Sequence, residues 1–226
     1  MNAAAAGVKV AILAGGFGSR LGELTRELPK PMILVAGRPY LEFVIESFAN
    51  ENMRELVLLT GFRGDVIEAH FGDGSRFGVR IEYSREREPL GTGGAIREAR
   101  PLLGERFLLT FGDVLRRFDY DRFVRSHAGN ALAVYPRFDR GNADVAGGRV
   151  VRFDKHAPEL PYVDAGFSLM HAGTIDILPP QGACSFEELV YATLARRGEL
   201  AAEVVGRDFC DVGTPEELAR TRERLG

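Results

Sequence analysis

The sequence predicts an α/β fold in which a mixed, mostly parallel sheet is flanked by helices. In the first half of the chain, short leucine-rich or β-branched runs alternate with amphipathic segments, which is the pattern of βαβ units. With 226 residues, 45% of them hydrophobic and 27% charged, the chain can bury one substantial core. No internal repeat, low-complexity tract or Ser/Pro-rich linker divides it. We therefore expect a single domain over residues 1–226, with one half up to residue 130 and another over 131–226.

The first half predicts four strands and three helices in alternation. Residues 40–50 carry an apolar stripe at spacings of three and four, formed by Leu41, Val44, Ile45 and Phe48, which is typical of a helix packed on a sheet. With the buried strands over 8–13 and 56–60, this helix makes a right-handed crossover. The remaining elements in order are a helix over 65–71, a strand over 79–84, a helix over 94–103 and a strand over 106–111.

The second half has shorter β-like runs separated by Gly, Pro and Asn, which predict an antiparallel or mixed extension of the sheet. These runs cover residues 131–135, 144–146, 149–153 and 167–170. Two helices are expected near the end of the chain. Each begins with a hydroxyl residue followed three positions later by glutamate, as Ser185 with Glu188 and Thr214 with Glu217.

Charge and composition exclude several classes of protein. The 29 basic and 32 acidic side chains give a net charge of −3 and are scattered, so no strip is basic enough to bind a nucleic-acid backbone. Cys184 and Cys210 have neither a CxxC spacing nor a nearby histidine pair, which disfavours a zinc site or a disulfide framework. No apolar stretch approaches about 18 residues. Lys9, the only early cation, follows the small apolar run, which is backwards for a secretory signal. We expect a soluble cytoplasmic protein with neither a nucleic-acid nor a membrane partner.

A glycine-rich loop follows the first predicted strand. Residues 14–21 read Ala-Gly-Gly-Phe-Gly-Ser-Arg-Leu, so the backbone can turn tightly and present amide groups to a phosphate or a base. The loop is not a Walker A motif, because no Gly-Lys-Ser/Thr ends it, and it lacks the Gly-x-Gly-x-x-Gly spacing of a dinucleotide fold. Taken alone, these glycines also fit an ordinary turn.

Lys30 is a second indication of an anion-binding site. Pro29 and Pro31 fix the backbone on both sides of this lysine and so aim its ammonium group, a restraint that a solvated surface lysine does not need. The chain otherwise uses arginine almost throughout, since its lysines are Lys9, Lys30 and Lys155. Arg20, in the glycine loop, is the cation expected beside it.

The glycine loop and the Pro-Lys-Pro-Met run at 29–32 together resemble the signature of the sugar-1-phosphate nucleotidyltransferases. These enzymes join a sugar phosphate to a nucleoside triphosphate (NTP) and release pyrophosphate. Ser19 stands where threonine is common. The resemblance covers about residues 8–214 and continues through residues 89–95 (Pro-Leu-Gly-Thr-Gly-Gly-Ala), 111–113 (Phe-Gly-Asp), 154–155 (Asp-Lys), 164–166 (Asp-Ala-Gly) and 211–213 (Asp-Val-Gly). Phe111, Asp154 and Asp164 depart from the common residues.

The resemblance implies a Rossmann-like, GT-A-like fold whose first half binds the nucleotide and whose second half binds the sugar. It implies catalytic roles for Arg20 and Lys30, and a Mg²⁺ ion held by Asp113 and Asp211. The nucleotide-binding positions that it implies are Leu13, Ala14, Gly15, Gly16, Gly18, Ser19, Pro89, Gly91 and Thr92. The sugar-binding positions are Gly94, Asp154, Lys155, Asp164 and Gly166.

The chemistry of nucleotidyl transfer agrees with these side chains. The reaction needs positioning and neutralisation of charge rather than a covalent nucleophile. Arg20 suits the triphosphate and the departing pyrophosphate as a planar fork of donors, and Lys30 suits the α-phosphate as a compact charge. Because two anionic phosphates must approach each other, Mg²⁺ is expected, bound by carboxylates together with phosphate oxygens and water.

Several readings stay open at this point. Lys155 either clamps the sugar phosphate or is a surface lysine, and Asp164 either bonds a sugar hydroxyl or ends a strand. Glu86 or Glu88 either accepts from a guanine edge or belongs to a solvated rim. Residues 72–79 and 88–94 most resemble the heptose 1-phosphate guanylyltransferases, which favours GTP and a manno-configured heptose 1-phosphate as substrates.

The same stretches are similar to the N-acetylmuramate 1-phosphate uridylyltransferases, and a nucleotide-binding protein without turnover is a further alternative. Oligomers are common among such enzymes, but no segment of the sequence identifies a subunit contact. A homo-oligomer is therefore left as an alternative to a monomer.

Overall fold

The strands and helices below come from a computed structural model that describes residues 7–16, 18, 21–22, 25, 28–137 and 140–226. Within these residues the strands are β1 (Lys9–Leu13), β2 (Leu34–Val35), β3 (Arg38–Pro39), β4 (Glu55–Thr60), β5 (Arg80–Arg85), β6 (Arg106–Phe111), β7 (Val114–Arg116), β8 (Asn130–Pro136), β9 (Ala143–Ala146), β10 (Arg149–Phe153), β11 (Tyr162–His171), β12 (Leu200–Val204) and β13 (Phe209–Asp211). The α-helices are α1 (Tyr40–Asn50), α2 (Gly64–Phe71), α3 (Gly91–Ala99), α4 (Tyr120–Ser126), α5 (Ala192–Arg197) and α6 (Pro215–Leu225).

Nine strands form one mixed sheet in the order β5-β4-β1-β6-β11-β8-β12-β10-β9. The neighbours from β5 to β6 are parallel, as the alternation of strands and helices in the first half predicts. Beyond β6 the sheet becomes mostly antiparallel, because β11 pairs in that sense with both β6 and β8. The predicted α/β class and the mixed extension in the second half are thus confirmed.

The sheet is buried on both faces, which is why its central strands are almost wholly apolar. Successive residues of β1 point to opposite sides. Val10 and Ile12 join a core cluster with the apolar stripe of α1, whereas Ala11 joins a second cluster with Ile96 of α3. Each side chain of the stripe over 40–50 is buried, so the helical period of that segment is confirmed.

Several boundaries differ from the sequence prediction, most of them by one residue, whereas α3 and β11 differ by more. Helix α3 begins at Gly91 rather than at residue 94, because the amide of Gly93 donates to the Cys184 carbonyl at 2.8 Å and a distant segment thus holds the glycines in a helical turn. Helix α3 ends at Ala99 rather than at residue 103. Strand β11 is longer than the predicted 167–170, since a bulge between Asp164 and Ser168 interrupts its pattern without ending it. None of the helices in the described residues is long and apolar enough to cross a membrane.

A small antiparallel pair, β7 with β13, stands apart from the main sheet. Strand β7 continues from β6 through Gly112 and Asp113, and β13 brings a segment from near the end of the chain against it. In this pair Asp211 lies opposite Val114 and Phe209 lies opposite Arg116. The pair therefore carries two predicted metal-binding carboxylates to the same place.

Candidate active site

A cavity of about 330 Å³ opens where the carboxyl ends of β1 and β6 meet the start of α3. In open α/β sheets this is the edge at which ligands bind. The cavity is lined by residues from five separate segments, namely Leu13, Ala14, Gly15, Gly16, Lys30, Pro31, Leu59, Glu86, Pro89, Gly91, Thr92, Ala95, Phe111 and Asp113. The structure thus brings the first glycine motif, the bracketed lysine, the second glycine motif and Asp113 together.

The glycine loop lies close to neighbouring groups because its residues lack side chains. A Cβ atom on Gly15 would lie 3.1 Å from Oε1 of Glu86. Gly18 has a φ of +63°, and a Cβ there would meet the stem of Lys30 at 3.0 Å. The loop therefore covers Lys30 on one side and approaches Glu86 on the other. The predicted residues Ser19 and Arg20 lie outside the described residues.

Lys30 sits in a short 3₁₀ turn whose preceding residue, Pro29, is extended at φ −64° and ψ 143°. The side chain is buried, with 7% of its surface exposed. Pro31 lies 3.3 Å from the Cβ position of Gly112, so this glycine allows the turn to approach the end of β6. As a result the Lys30 ammonium group forms an ion pair with Asp113.

Asp113 and Asp211 meet at the end of the β7–β13 pair, where the amide of Val212 donates to the Asp113 carbonyl at 3.3 Å. Burial, a hydrogen bond with Glu217 and the charges of Glu217 and Asp113 raise the pKa of Asp211 to about 7. A Cβ on Gly213 would lie 2.9 Å from Oε2 of Glu217, 3.3 Å from Oδ1 of Asp211 and 3.6 Å from Nζ of Lys30. Three carboxyl groups therefore lie around one lysine.

This donor set fits a divalent cation completed by ligands from outside the protein. Nowhere in the described residues do three His, Cys, Asp or Glu side chains form a ready metal-binding group. Mg²⁺ is usually bound by one or two carboxylates, with substrate phosphates and water filling the other positions. Asp113 and Asp211 supply that number of carboxylates. Burial raises the pKa of Asp211 most, the charges of Glu217 and Asp113 add to the effect, and a cation would offset that added charge.

Glu86 follows β5, an edge strand of the main sheet, whereas Asp113 follows β6, three strands along. Its Oε2 accepts a hydrogen bond from the Leu90 amide at 3.2 Å, and burial raises the pKa of this carboxyl above its ordinary value. Glu88, the other acidic residue considered, is exposed and does not line the cavity. Of the two, only Glu86 is placed to contact a ligand in the cavity.

Lys155 lies in a hydrogen-bonded cluster that joins the two halves of the chain. Its ammonium donates to Ser185 at 3.1 Å and to Oε2 of Glu187 at 3.0 Å. The same carboxylate oxygen accepts from Thr92 at 2.7 Å, and Thr92 in turn accepts from the amide of Phe186 at 2.9 Å. Although burial opposes ionisation, the Lys155 charge and the Thr92 hydrogen bond lower the pKa of Glu187. We call these four side chains, Thr92, Lys155, Ser185 and Glu187, the Glu187 cluster.

Asp164 and Gly166 form the bulge of β11. Oδ1 of Asp164 accepts from the Gly166 amide at 2.7 Å, and Gly166 has a φ of +83°, a left-handed conformation that favours glycine. Thr110 of β6 holds the Gly166 carbonyl at 3.0 Å. Burial raises the pKa of Asp164 to about 7, and the nearby Glu187 carboxylate adds to the effect, while the Gly166 amide opposes it.

Among the described residues, the predicted positions that do not line the cavity are Gly18, Gly94, Asp154, Lys155, Asp164, Gly166 and Asp211. Asp154 and Gly94 are the two among them whose contacts are made elsewhere. Both oxygens of Asp154 are used locally, since one accepts from the amide of His156 at 2.9 Å and the other pairs with Arg152 at 3.2 Å. Gly94 faces the interior, where a Cβ would meet Leu90 at 2.6 Å. Neither residue lines the cavity in this arrangement.

The sequence pattern places Glu217 only at a helix start and indicates no role for Glu187. Glu217 is the capping-box residue of α6, whose first turn is capped by Thr214, and Glu187 follows Ser185 within the first predicted start. In the structure Glu187 begins a short π-helical turn (Glu187–Tyr191), a geometry that is frequent at functional sites. Glu187 is buried in the structure, with 2% of its surface exposed, and no feature of the sequence indicates this burial.

The chain is similar to known proteins over most of its length. The sequence profile of the family described as Nucleotidyl transferase matches residues 9–140. A mannose-1-phosphate guanylyltransferase of Mycobacterium tuberculosis is 33% identical over 94% of this chain and 63% of its own length. This chain therefore spans less than two thirds of that relative.

Two further relatives are matched along nearly their whole length. A D-glycero-alpha-D-manno-heptose 1-phosphate guanylyltransferase of Campylobacter jejuni is 28% identical over 91% of this chain and 95% of its own. The crystal structure of HddC from Yersinia pseudotuberculosis complexed with GMP-PN is 26% identical, with a TM-score of 0.83 over 97% of this chain and 100% of that chain.

Proposed function

The chain belongs to the nucleotidyl transferase family, and from that premise we propose that it transfers the GMP group of GTP to a manno-configured sugar 1-phosphate. A phosphate oxygen of the sugar 1-phosphate attacks the α-phosphorus, the bond from that phosphorus to the β-phosphate oxygen breaks, and pyrophosphate leaves. The products are a GDP-sugar and pyrophosphate. The single observation that carries the proposal is the cavity that joins the glycine loop, Lys30, Asp113 and Glu86.

The base is proposed to bind between the glycine loop and the start of α3. Ala14 to Gly16 on one side and Pro89 to Thr92 on the other offer main-chain groups to its edge. Glu86 then supplies two carboxylate oxygens, which match the adjacent N1–H and N2–H₂ donors of guanine. A carboxylate cannot donate to the O4 carbonyl of uracil or thymine when it is ionised, and for this reason Glu86 favours GTP.

The triphosphate is proposed to extend from Gly16 toward Lys30, which neutralises the α-phosphate and the incoming phosphate as charge builds on their oxygens. Asp113 and Asp211 would hold Mg²⁺, which when bound reduces repulsion between the two anionic substrates. Arg20 is proposed to bind the departing pyrophosphate. Asp113 and Glu217 add negative charge beside Asp211, so a cation bound there would lower the repulsion that an entering triphosphate meets.

The sugar 1-phosphate is proposed to lie between the β11 bulge and the Glu187 cluster. Lys155 supports contact with its phosphate, and Asp164 and the backbone of Gly166 support contact with its hydroxyl groups. A D-glycero-D-manno-heptose 1-phosphate is the favoured substrate, because the Campylobacter jejuni relative that carries this specificity in its name matches the chain nearly end to end. Mannose 1-phosphate is the second candidate, favoured by the higher identity of the mycobacterial relative.

The proposal is tested by a grid of substrates with pyrophosphate release as the readout. GTP, ATP, UTP, CTP and dTTP are each combined with glucose, mannose, N-acetylmuramate and manno-heptose 1-phosphates in the presence of Mg²⁺. We expect release with GTP and a manno-configured sugar phosphate. Release confined to UTP and N-acetylmuramate 1-phosphate would replace the proposed substrates. Nucleotide binding without release in any combination would favour a binding protein that has lost turnover.

A further inference from the structure

Arg116 is a buried cation whose hydrogen-bond partners, within the part of the chain that the structure describes, are backbone carbonyls rather than a carboxylate. Only 4% of its surface is exposed. Its Nε donates to the Ala165 carbonyl at 2.6 Å and one terminal nitrogen donates to the Gly206 carbonyl at 3.0 Å. The guanidinium also lies over two rings, 4.5 Å from the centre of Phe209 and 5.4 Å from that of Tyr135. Burial lowers the pKa of this arginine below its ordinary value. Placing a charged group away from water therefore costs free energy of folding at this position.

The two carbonyls belong to different parts of the proposed site. Ala165 stands between Asp164 and Gly166 in the β11 bulge, on the proposed sugar side. Gly206 lies in the segment that leads into β13, the strand that ends at Asp211 on the proposed metal side. Phe209, which lies opposite Arg116 in the β7–β13 pair, belongs to the same strand. One guanidinium therefore connects the bulge, the approach to β13 and β13 itself.

We infer that Arg116 is a positioning residue that holds the strand carrying Asp211 against the bulge carrying Asp164 and Gly166. The metal side lies on the β7–β13 pair, which is three residue pairs long, and the sugar side lies on the main sheet. The guanidinium group of arginine is planar and its N–H donors point in fixed directions, so it can bond two carbonyls while it stacks on a ring. The ammonium group of lysine cannot reproduce that geometry. The inference depends on the proposed function only for the roles given to the two sides.

The test compares Arg116→Lys, which keeps the charge and loses the fork, with Arg117→Lys at the next, exposed position. Mn²⁺ affinity is measured by electron paramagnetic resonance without substrates. Binding of a fluorescent GTP analogue is measured in EDTA, and the KM for the sugar 1-phosphate is measured with Mg²⁺. Thermal unfolding is followed for every variant. A second variant, Phe209→Leu, removes the ring but leaves both hydrogen bonds possible.

We expect Arg116→Lys to weaken Mn²⁺ binding at least fivefold and to raise the sugar 1-phosphate KM at least tenfold. GTP-analogue binding should stay within twofold, because the base end of the cavity is not connected to Arg116. Phe209→Leu should shift the same two quantities in the same direction by a smaller factor. Arg117→Lys should match the wild type in all of them.

The inference is overturned if Arg116→Lys unfolds at a lower temperature but keeps wild-type Mn²⁺ affinity and sugar KM, since Arg116 would then only contribute packing. If Arg116→Lys does not fold, wild-type values in Phe209→Leu overturn it equally. Failure of the proposed function has a different signature, namely a wild-type protein that releases no pyrophosphate with any substrate pair. The Mn²⁺ affinities decide the positioning role in that case too.

Discussion

Lys30 is the residue whose removal should damage the proposed reaction most. Lys30→Ala takes away the cation next to the α-phosphate and leaves Asp113 without its ion-pair partner. Loss of one preorganised charge at a developing oxyanion costs about a hundred- to a thousandfold in rate. We expect turnover to fall by about a hundredfold or more while thermal unfolding changes little, as measured by pyrophosphate release and calorimetry.

Lys9→Ala is the matched control, since Lys9 lies away from the cleft, where its ammonium group pairs with Glu82 at a distance of 2.5 Å. Its rate should stay within twofold of the wild type. Asp113→Ala should abolish turnover as Lys30→Ala does. A near-normal rate in either cleft variant would count strongly against the assigned site.

Glu86 should determine which base is used. In Glu86→Gln the side chain presents one acceptor and one donor in place of two acceptors, which suits the N3–H and O4 edge of uracil or thymine better than guanine. Leaving a base donor without its acceptor costs about 1–3 kcal/mol. We expect kcat/KM for GTP to fall about tenfold or more and the ratio of UTP to GTP use to rise.

Glu88→Gln, two positions away on the exposed side, serves as the control for Glu86→Gln. It should leave the ratio of UTP to GTP use unchanged. If both variants keep the wild-type ratio, base recognition lies with the backbone of the glycine loop and α3 alone.

Asp164 should make the stability of the protein depend on pH. Its pKa rises to about 7 in the folded protein, mainly through burial, whereas an unfolded aspartate ionises near pH 3.9. The unfolded chain therefore releases this proton first, and Asp164 lowers the free energy of unfolding progressively between about pH 4 and pH 7. Asp164→Asn removes the titration, so it should be more stable than the wild type above pH 7, by up to about 4 kcal/mol.

The measurement for Asp164→Asn is chemical denaturation of both proteins from pH 4 to pH 8. Only the difference between the two curves is used, because the pKa of Asp211 is also raised to about 7 and both proteins share its contribution. Curves that stay parallel over this range would show that Asp164 is ionised throughout.

Residues were predictable from the sequence where local chemistry singles them out. Two prolines marked Lys30, and a glycine next to a strand end marked Asp113. Glu187 and Arg116 gave no such signal, because their partners lie far away in the chain: Thr92 bonds Glu187 across 95 positions and Arg116 bonds Ala165 across 49. Folding creates those roles, and the residue types alone do not.

Among the elements, the contact between α3 and the segment around Cys184 should be sensitive to added volume. A Cβ on Gly93 would lie 2.6 Å from Sγ of Cys184 and 3.1 Å from both the Cys184 carbonyl and the Phe186 amide. The sulfur can move, but the backbone groups cannot move without shifting the Glu187 cluster. We expect Gly93→Ala to lower the free energy of unfolding by about 1–3 kcal/mol and to raise the KM for the sugar 1-phosphate, because the Glu187 cluster borders its proposed site.

Gly173→Ala provides the comparison, since a Cβ at that position meets nothing within 4 Å. Its unfolding free energy should stay within about 0.5 kcal/mol of the wild type. Equal stability of the two alanine variants would mean that α3 can move away from the Cys184 segment at little cost.

The observed bounds of a helix or strand match the predicted bounds closely where the hydrophobic pattern has a single period. The stripe over 40–50 predicts α1 to the residue, and the strand over 106–111 coincides with β6. The sequence prediction starts α3 too late, because the glycines at its start have low helix propensity. Their contact with Cys184, which the sequence does not show, holds them in the helix. The β11 bulge causes a similar error, since it shifts the alternation of inward and outward residues.

At the scale of the whole molecule, the parallel half of the sheet was predictable and the partner order of the other half was not. Parallel neighbours from β5 to β6 follow from successive crossovers with a fixed hand. The antiparallel half is built from pairs distant in sequence, such as β12 with β8 and β13 with β7. A sheet shared by both halves agrees with the expected single domain over 1–226, which stays a prediction.

The ion pair between Lys30 and Asp113 gives each of these two charges a partner of opposite sign within the protein. A nucleotide that bound alone would draw Lys30 away from Asp113 and leave that carboxylate without its cation. A metal ion that bound alone would draw Asp113 away and leave Lys30 without its anion. A nucleotide that carries its divalent cation replaces both partners at once, so we expect it to bind more tightly than either ligand alone. The ion pair would thereby favour the metal-bound nucleotide over the metal-free nucleotide before the reaction begins.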